Sequence, residues 1–172
     1  MEQTTSTRVA EHDAATRRTI VAFTVIVPAI VVLDQVTKIL IRAWLAEGES
    51  WPGRDGLLRL SHVENSGAAF GVFQDAGAFL LVATVIGVVA LGAYLVLSSG
   101  SGWLSVGPLA LILGGATGNL IDRAFRGTVT DFIDPARYPA FNVADSAIVI
   151  GIAALAWIAL RHPDDRDGDD AP

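Results

Sequence analysis

Four long apolar runs alternate with polar segments along this chain. They cover residues 19–45, 76–97, 101–121 and 141–160. The second and third runs contain no charged residue, and the fourth contains only Asp145. Each run reaches the roughly 20 residues that a helix needs to cross a bilayer. The pattern therefore predicts an all-α membrane protein, built as a bundle of four transmembrane helices.

Two longer polar segments, residues 46–75 and 122–140, follow the first and third runs, so four spans place both on the same membrane face. Residues 58–61 alternate apolar and polar side chains, as a half-buried strand does. Residues 65–67, Asn-Ser-Gly, are typical of a turn. We therefore expect a small β-sheet within about residues 46–75, resting on the membrane surface.

The two ends of the chain are polar. Residues 1–18 have the composition of a disordered tail, residues 163–172 form an acidic tail, and residues 19–162 form the membrane domain between them. An even number of spans places both termini on one side, and the Arg17-Arg18 pair beside the first run favours the cytoplasm. The long polar segments, and any site built from them, are then expected near the extracytoplasmic surface.

Composition narrows the possible functions. A mean hydropathy of +0.49 is typical of membrane insertion. The net charge of -6 comes largely from the tails, and the absence of a basic patch argues against nucleic-acid binding. The absence of cysteine excludes thiolate catalysis and Cys-ligated metals. The three histidines are scattered without the HExxH spacing, so we expect neither a metal nor a cofactor.

Ionisable residues near a transmembrane bundle are costly, so each one suggests a function with a named partner. Asp34 and Lys38 lie four residues apart on one helical face, where they can form a self-neutralising ion pair. Asn119, Asp122 and Arg123 fall together near the end of the third run. A local Asp122–Arg123 pair there could either fix the helix end or point into a site.

Asp131 and Asp145 return two carboxylates to the same membrane face. Asn142 and Asp145 are three residues apart, and so share one side of the fourth helix. Two carboxylates in a poorly solvated site cannot both ionise, so one keeps its proton while the other acts as a base, as in aspartic proteases. Because intramembrane aspartates also serve as proton relays, a small proton-coupled transporter or assembly factor remains an alternative.

Other hydrolase chemistries fit the residues less well. Lys38 could activate Ser146 or Ser66 as a serine–lysine dyad. Asp34, one turn away, favours the charged amine of Lys38 and argues against that dyad. A transporter predicts acidic residues near the middle of the membrane in several helices, whereas the acidic residues here cluster toward one surface.

Five blocks of polar and small residues together resemble a known family. The blocks are Asp34-Gln-x-Thr-Lys38, Asn65-x-Gly67-Ala-Ala-Phe70, Gly114-Gly-Ala-x-Gly118-Asn119-x-x-Asp122-Arg123, Val129-x-Asp131-Phe132 and Phe141-Asn142-x-Ala-Asp145-Ser146. In this order, over about residues 25–155, they resemble the bacterial lipoprotein signal peptidases, also called signal peptidase II.

The resemblance implies an aspartyl endopeptidase of the bacterial cytoplasmic membrane, with four transmembrane helices and a small extracytoplasmic β-cradle. Its substrates would be diacylglyceryl-modified prolipoproteins, reached from among the membrane lipids and cut on the amino side of the lipidated cysteine. Asp131 and Asp145 fall on the catalytic pair, and Asp122 is expected to pair with Arg123. The residues that fall on supporting positions are Asp34, Lys38, Asn65, Gly67, Asn119, Asp122, Arg123 and Asn142. We expect the protein to act as a monomer.

Overall fold

A computed structural model describes Arg17 and residues 21–53, 56–67, 76–97 and 106–161. In these ranges the chain is mostly helical, with one small three-stranded sheet. The helices are α1 (Val27–Trp44), α2 (Ala76–Leu97), α3 (Val106–Arg126) and α4 (Val143–Arg161), and the strands are β1 (Ser50–Trp51), β2 (Leu58–Asn65) and β3 (Val129–Pro135). A π-helical turn, Ala22–Ile26, precedes α1. Apart from Arg17, the two expected tails lie outside the described residues.

The expected helical segments overlap the four helices, and one difference is at the end of α3. We expected that helix to end at residue 121, but it continues to Arg126. Its last turns stay helical because Asp122 is buried and paired inside the protein rather than facing the membrane. The helix ends at Gly127, whose φ of 81° is left-handed and whose N–H donates to Arg123 O at 3.1 Å.

The described helices expose apolar side chains and bury polar ones. Val32, Leu40 and Ile86 are exposed, whereas Asp34 and Lys38 are fully buried. By length and composition, two of the described helical segments could cross a membrane, Thr24–Trp44 and Val143–Arg161, and α2 contains a shorter apolar stretch, Leu81–Tyr94. An apolar exterior around a polar interior is the arrangement expected of a protein surrounded by lipid.

Small residues allow α3 to contact α1 and α4 closely. A Cβ atom at Gly114 would lie 2.9 Å from Ile30 Cβ, and one at Gly118 would lie 2.6 Å from Asp34 Oδ2, so both glycines face α1. Gly115 faces α4, where a Cβ atom would overlap the carbonyl oxygen of Ala144. The small-xxx-small pattern therefore has the expected packing role.

The sheet is antiparallel, in the order β1-β2-β3. The strand predicted at residues 58–61 is present within the longer β2. The expectation that the whole sheet lies within residues 46–75 is wrong, because β3 comes from the segment between α3 and α4. The first residues of β3 are buried in succession and show no apolar–polar alternation, so the sequence pattern does not mark the strand. Pairing of β2 with β3 places Asp131 opposite Val63.

Candidate functional site

Asp131 and Asp145 are joined through Asn142. Asp131 lies on β3, and Asp145 lies in the first turn of α4. Asn142, which directly precedes α4, donates from Nδ2 to Asp131 Oδ1 at 2.7 Å and from its backbone N–H to Asp145 Oδ2 at 3.3 Å. One residue therefore binds both carboxylates that the sequence singled out.

Asn142 and Asp145 also form a reciprocal cap at the start of α4. Asn142 Oδ1 accepts the N–H of Asp145 at 2.9 Å, while the carboxylate of Asp145 accepts the N–H of Asn142. This is the arrangement of a capping box, with an aspartate in the place of the usual glutamate. The cap fixes Asp145 and the Asn142 amide relative to the helix axis.

Two further amide side chains hold the outer oxygens of the pair. Asn65 Nδ2 donates to Asp131 Oδ2 at 2.8 Å, and Asn119 Nδ2 donates to Asp145 Oδ1 at 2.7 Å. Asn65 Oδ1 accepts the N–H of Gly67 at 2.8 Å, and Gly67 has a φ of 78°. This turn occupies the carbonyl of Asn65 and leaves its NH₂ group for Asp131. The predicted turn at residues 65–67 is therefore part of the site.

The environment of Asp131 favours its protonated form. Burial raises the pKa of Asp131 to about 6, the hydrogen bond from Asn65 opposes this rise, and the neighbouring charge of Asp145 adds to it. The electrostatic effect of Asp145 on Asp131 follows from their proximity. A shared proton is therefore favourable at this pair over a wider pH range than at an exposed aspartate.

Lys38 lies at the centre of a buried charge cluster beside this pair. Its Nζ contacts Asp34 Oδ2 at 2.8 Å, Asp122 Oδ2 at 3.0 Å and Asn119 Oδ1 at 3.0 Å. The Asp34–Lys38 ion pair predicted from their spacing is present. Asn119 connects the two groups, because it accepts from Lys38 and donates to Asp145. Lys38 thereby fixes which way the Asn119 amide points.

Asp34 ties this cluster to the start of α4. Its Oδ1 accepts the backbone N–H of Ala144 at 2.9 Å, at a helix end where unpaired N–H groups favour a negative charge. Gln35 donates from Nε2 to Asp34 Oδ2 at 3.2 Å and to Gly118 O at 3.1 Å. The absence of a side chain at Gly118 leaves the space that Asp34 occupies. α1, α3 and α4 are held together at the height of the carboxylate pair.

The expected pairing of Asp122 with Arg123 is wrong. Asp122 instead contacts Lys38 at 3.0 Å and Arg42 at 3.8 Å. Adjacent residues on a helix point in different directions, whereas Lys38 and Arg42 approach Asp122 from the facing helix. In the described part of the chain, the side chain of Arg123 makes no ion pair or hydrogen bond, and it is partly exposed.

Several polar residues near the pair were not assigned to the site from the sequence. They are Gln35, Arg42, His62, Glu64 and Thr130. Arg42 could have been assigned from the sequence, because it lies one helical turn after Lys38 and therefore on the same helical face. Thr130 could not have been assigned from the sequence, since the partners of its hydroxyl, Arg42 and Glu64, lie in distant parts of the chain.

An apolar groove of about 330 Å³ opens beside Asp145. It is lined by Tyr138, Phe141, Asp145, Ser146, Val149 and Ile150. Val149 and Ile150 are exposed on the outer surface of α4, so the groove continues onto the apolar exterior of the protein. An apolar substrate lying beside α4 could therefore reach the Asp145 carboxylate without crossing polar surface.

The geometry disfavours the serine–lysine dyad. Ser146 Oγ donates to Asn142 O at 2.9 Å, while Lys38 Nζ is occupied by two carboxylates and an amide oxygen. Lys38 Nζ thus contacts these three groups rather than a serine hydroxyl. In the ranges that the structure describes, no group of three or more His, Cys, Asp or Glu side chains could hold a metal ion.

A family model and several known proteins similar to this chain all carry the description of a signal peptidase. The family model described as Signal peptidase (SPase) II matches residues 26–161. A protein named Lipoprotein signal peptidase from Caldanaerobacter subterraneus subsp. tengcongensis is 46% identical over 138 residues, covering 79% of this chain and 94% of that protein. A protein of the same name from Geobacter sulfurreducens is 43% identical over 147 residues, covering 81% and 92%. The transporter alternative finds no support among these relatives.

The fold also resembles that of a solved structure described as a bacterial membrane enzyme. The two structures align with a TM-score of 0.73 at 29% sequence identity, covering 86% of this chain and 92% of the other. Together with the apolar exterior and the two helical segments long enough to cross a bilayer, this similarity indicates a membrane-embedded protein.

Proposed function

This chain belongs to the signal peptidase II family, and from that premise we propose that it is an aspartyl endopeptidase acting on prolipoproteins. It removes the signal peptide on the amino side of a diacylglyceryl-modified cysteine, and Asp131 and Asp145 are its catalytic pair. The observation that carries this proposal is the bridge by Asn142, which holds both carboxylates at one place beside the groove.

In the proposed reaction, Asp131 carries the shared proton and Asp145 is the base. Asp145 accepts a proton from a water molecule as the water oxygen attacks the carbonyl carbon of the scissile peptide bond. Asp131 donates its proton to the carbonyl oxygen, which forms a neutral tetrahedral intermediate. Collapse of that intermediate breaks the C–N bond, and the proton on Asp145 passes to the leaving amine. The hydroxyl proton returns to Asp131, so the pair ends with one proton, as it began.

The buried charge cluster supports this chemistry by positioning the pair. Lys38, Asp34 and Asp122 fix Asn119 and the start of α4, and these in turn orient Asp145. Asn65, at the end of β2, and Gly67, in the turn that follows, orient Asp131. We assign to Arg123, which has no described ion pair, a role in orienting the substrate.

We further propose that all four helices span the membrane, with both termini in the cytoplasm and the sheet on the extracytoplasmic surface. The aromatic pair at the end of α1 supports this placement of the sheet. The rings of Trp44 and Trp51 lie 5.7 Å apart, and both side chains are more than half exposed. Tryptophan is enriched at membrane–water interfaces. The substrate then enters laterally, because its lipid and its apolar signal peptide both reside in the bilayer.

The proposal is tested by replacing each carboxylate with an amide of the same shape. Asp131→Asn and Asp145→Asn should each abolish cleavage of a diacylglyceryl-modified precursor by the purified protein in detergent micelles. Asp134→Asn is the matched control, since Asp134 lies on the same strand but pairs with Arg59 outside the site. It should retain cleavage. Wild-type turnover by either of the first two variants would exclude the carboxylate mechanism.

A second test distinguishes the reaction class. Neither a metal chelator nor a serine-directed reagent should inhibit cleavage, because water is activated by carboxylates alone. Strong inhibition by the chelator would instead indicate a metal-dependent hydrolase.

A further inference from the structure

Thr130 is fully buried and directly precedes Asp131 on β3. Successive side chains of a strand point to opposite faces, so the hydroxyl of Thr130 points away from the Asp131 carboxylate. Any influence of Thr130 on Asp131 must therefore pass through the backbone.

Every polar group of Thr130 is hydrogen-bonded. Its hydroxyl accepts from Arg42 Nη1 at 2.9 Å and donates to Glu64 Oε1 at 3.0 Å. Its N–H donates to Asp122 Oδ2 at 3.2 Å, and its carbonyl oxygen accepts from Asn142 Nδ2 at 3.4 Å. One residue thus connects β3 to α1, β2, α3 and the start of α4.

Glu64, which pairs with Thr130 in the sheet register, is held as a carboxylate. Burial would raise the pKa of Glu64, but hydrogen bonds involving Thr128, His62 and Thr130 outweigh burial and lower that pKa. The Thr128 hydroxyl donates at 2.5 Å, and His62 Nε2 lies 2.9 Å from Glu64 Oε1. The acceptor for the Thr130 hydroxyl is therefore charged and fixed in place.

We propose that Thr130, held between Arg42 and Glu64, is a positioning residue that sets the orientation of the Asp131 carboxylate for the proposed reaction. The carbonyl of Thr130 belongs to the peptide unit that leads into Asp131. Fixing that unit fixes the direction in which the Asp131 side chain leaves the strand. This inference rests on the proposed function, since it assigns a further role within the same site.

The test compares Thr130→Val, which keeps the shape but removes the hydroxyl, with Thr130→Ser, which keeps the hydroxyl. Cleavage of a diacylglyceryl-modified precursor peptide is measured with the full chain in detergent micelles. Thr130→Val should lower kcat roughly ten- to a hundredfold while KM changes less than about twofold, because a misplaced catalytic group affects the reaction more than binding. Thr130→Ser should restore kcat to within about threefold of wild type.

Thr128→Val is the matched control. Its hydroxyl donates to the same glutamate, but among the described residues no hydrogen bond joins the Thr128 side chain to either carboxylate of the pair. Thr128→Val should lower kcat less than about threefold, because Glu64 keeps its contacts with His62 and Thr130. Equal losses of kcat in Thr128→Val and Thr130→Val would mean that both changes act by destabilising the sheet in general. That result would overturn the proposal.

Glu64→Gln is made in parallel, because it leaves the Thr130 side chain in place and serves if Thr130→Val does not fold. It should lower kcat at least about threefold at unchanged KM. Unchanged kcat in Glu64→Gln, or in folded Thr130→Val, overturns the positioning role alone. An inactive wild-type protein, or an active Asp131→Asn variant, would instead count against the proposed function.

Discussion

The side-chain amide of Asn142 donates a 2.7 Å hydrogen bond to Oδ1 of Asp131. The same residue caps α4 through Asp145, so Asn142 links β3 to the start of α4. The two carboxylates come from different elements and are connected by this one amide residue.

Asn142→Ala should lower kcat by about a hundredfold, because it releases Asp131 and removes the cap that orients Asp145. Loss of the cap should also cost about 1 kcal/mol of stability. Ser146→Ala is the control, since the Ser146 hydroxyl donates to the backbone carbonyl of Asn142 and the change removes one oxygen atom from the groove. It should keep wild-type turnover, and a large loss of activity in Ser146→Ala would reopen the serine–lysine alternative. Cleavage kinetics and thermal unfolding in micelles measure both effects.

The pH dependence of kcat/KM should have a basic limb set by Asp131. At a pH below its pKa of about 6, Asp131 holds its proton. At a higher pH Asp131 has lost that proton and cannot donate it to the carbonyl oxygen. The value of kcat/KM in the free enzyme should therefore fall as pH rises through that region. Asn65→Ala removes a hydrogen bond that favours the ionised form, so it should raise the pKa of Asp131 and move the limb to higher pH. A limb that moves to lower pH, or stays in place, would contradict this assignment.

Lys38→Met should strongly destabilise the protein. The substitution leaves Asp34 and Asp122 buried without their shared cation, and breaking a buried ion pair on one side costs about 3–5 kcal/mol. Arg126→Met is the contrasting variant, because Arg126 contacts Glu64 at 3.4 Å with its side chain 42% exposed. That change should cost less than about 1 kcal/mol. Unfolding midpoints in the same detergent compare the two variants, and equal losses would argue against a structural role for the buried cluster.

Gly118→Ala should destabilise the contact of α3 with α1 by about 1–3 kcal/mol, since the added methyl group meets Asp34 Oδ2 at 2.6 Å. Activity should fall as well, because Asp34 binds the start of α4. Gly87→Ala on α2 is the matched helical glycine, with nothing within 4 Å of the added atom. It should be neutral, or stabilising by up to about 1 kcal/mol. A Gly118→Ala variant as stable and active as wild type would mean that the two helices pack less closely than described.

Local patterns in the sequence predicted the helices and part of the sheet. The uninterrupted apolar run of residues 76–97 coincides with α2, because a helix surrounded by lipid has no need of a polar face. The spacing of Asp34 and Lys38 predicted their ion pair, since four residues make one helical turn. The turn at residues 65–67 was also predicted, because Asn65 is followed two positions later by Gly67 and both residue types favour turns.

The partners of Asp122 and the strand β3 could not be predicted in this way. Asp122 pairs with Lys38 rather than with its neighbour Arg123, because the facing helix supplies a buried cation that sequence proximity does not reveal. β3 joins a sheet whose other strands lie more than sixty residues earlier, as the pairing of Asn65 with Val129 illustrates. Its buried residues lack the alternation by which a half-buried strand is recognised.

The sequence by itself determined the chemistry available to this protein: the apolar segments, the two aspartates, the amides and the absence of cysteine. Only the tertiary structure decided that Asn65, Asn119 and Asn142 all donate to that one pair, from three different parts of the chain. Residue types and helical spacing are local properties, whereas hydrogen bonds between distant segments depend on how the helices and the sheet pack. The pairing of buried polar groups, each of which must find a partner, selects that packing.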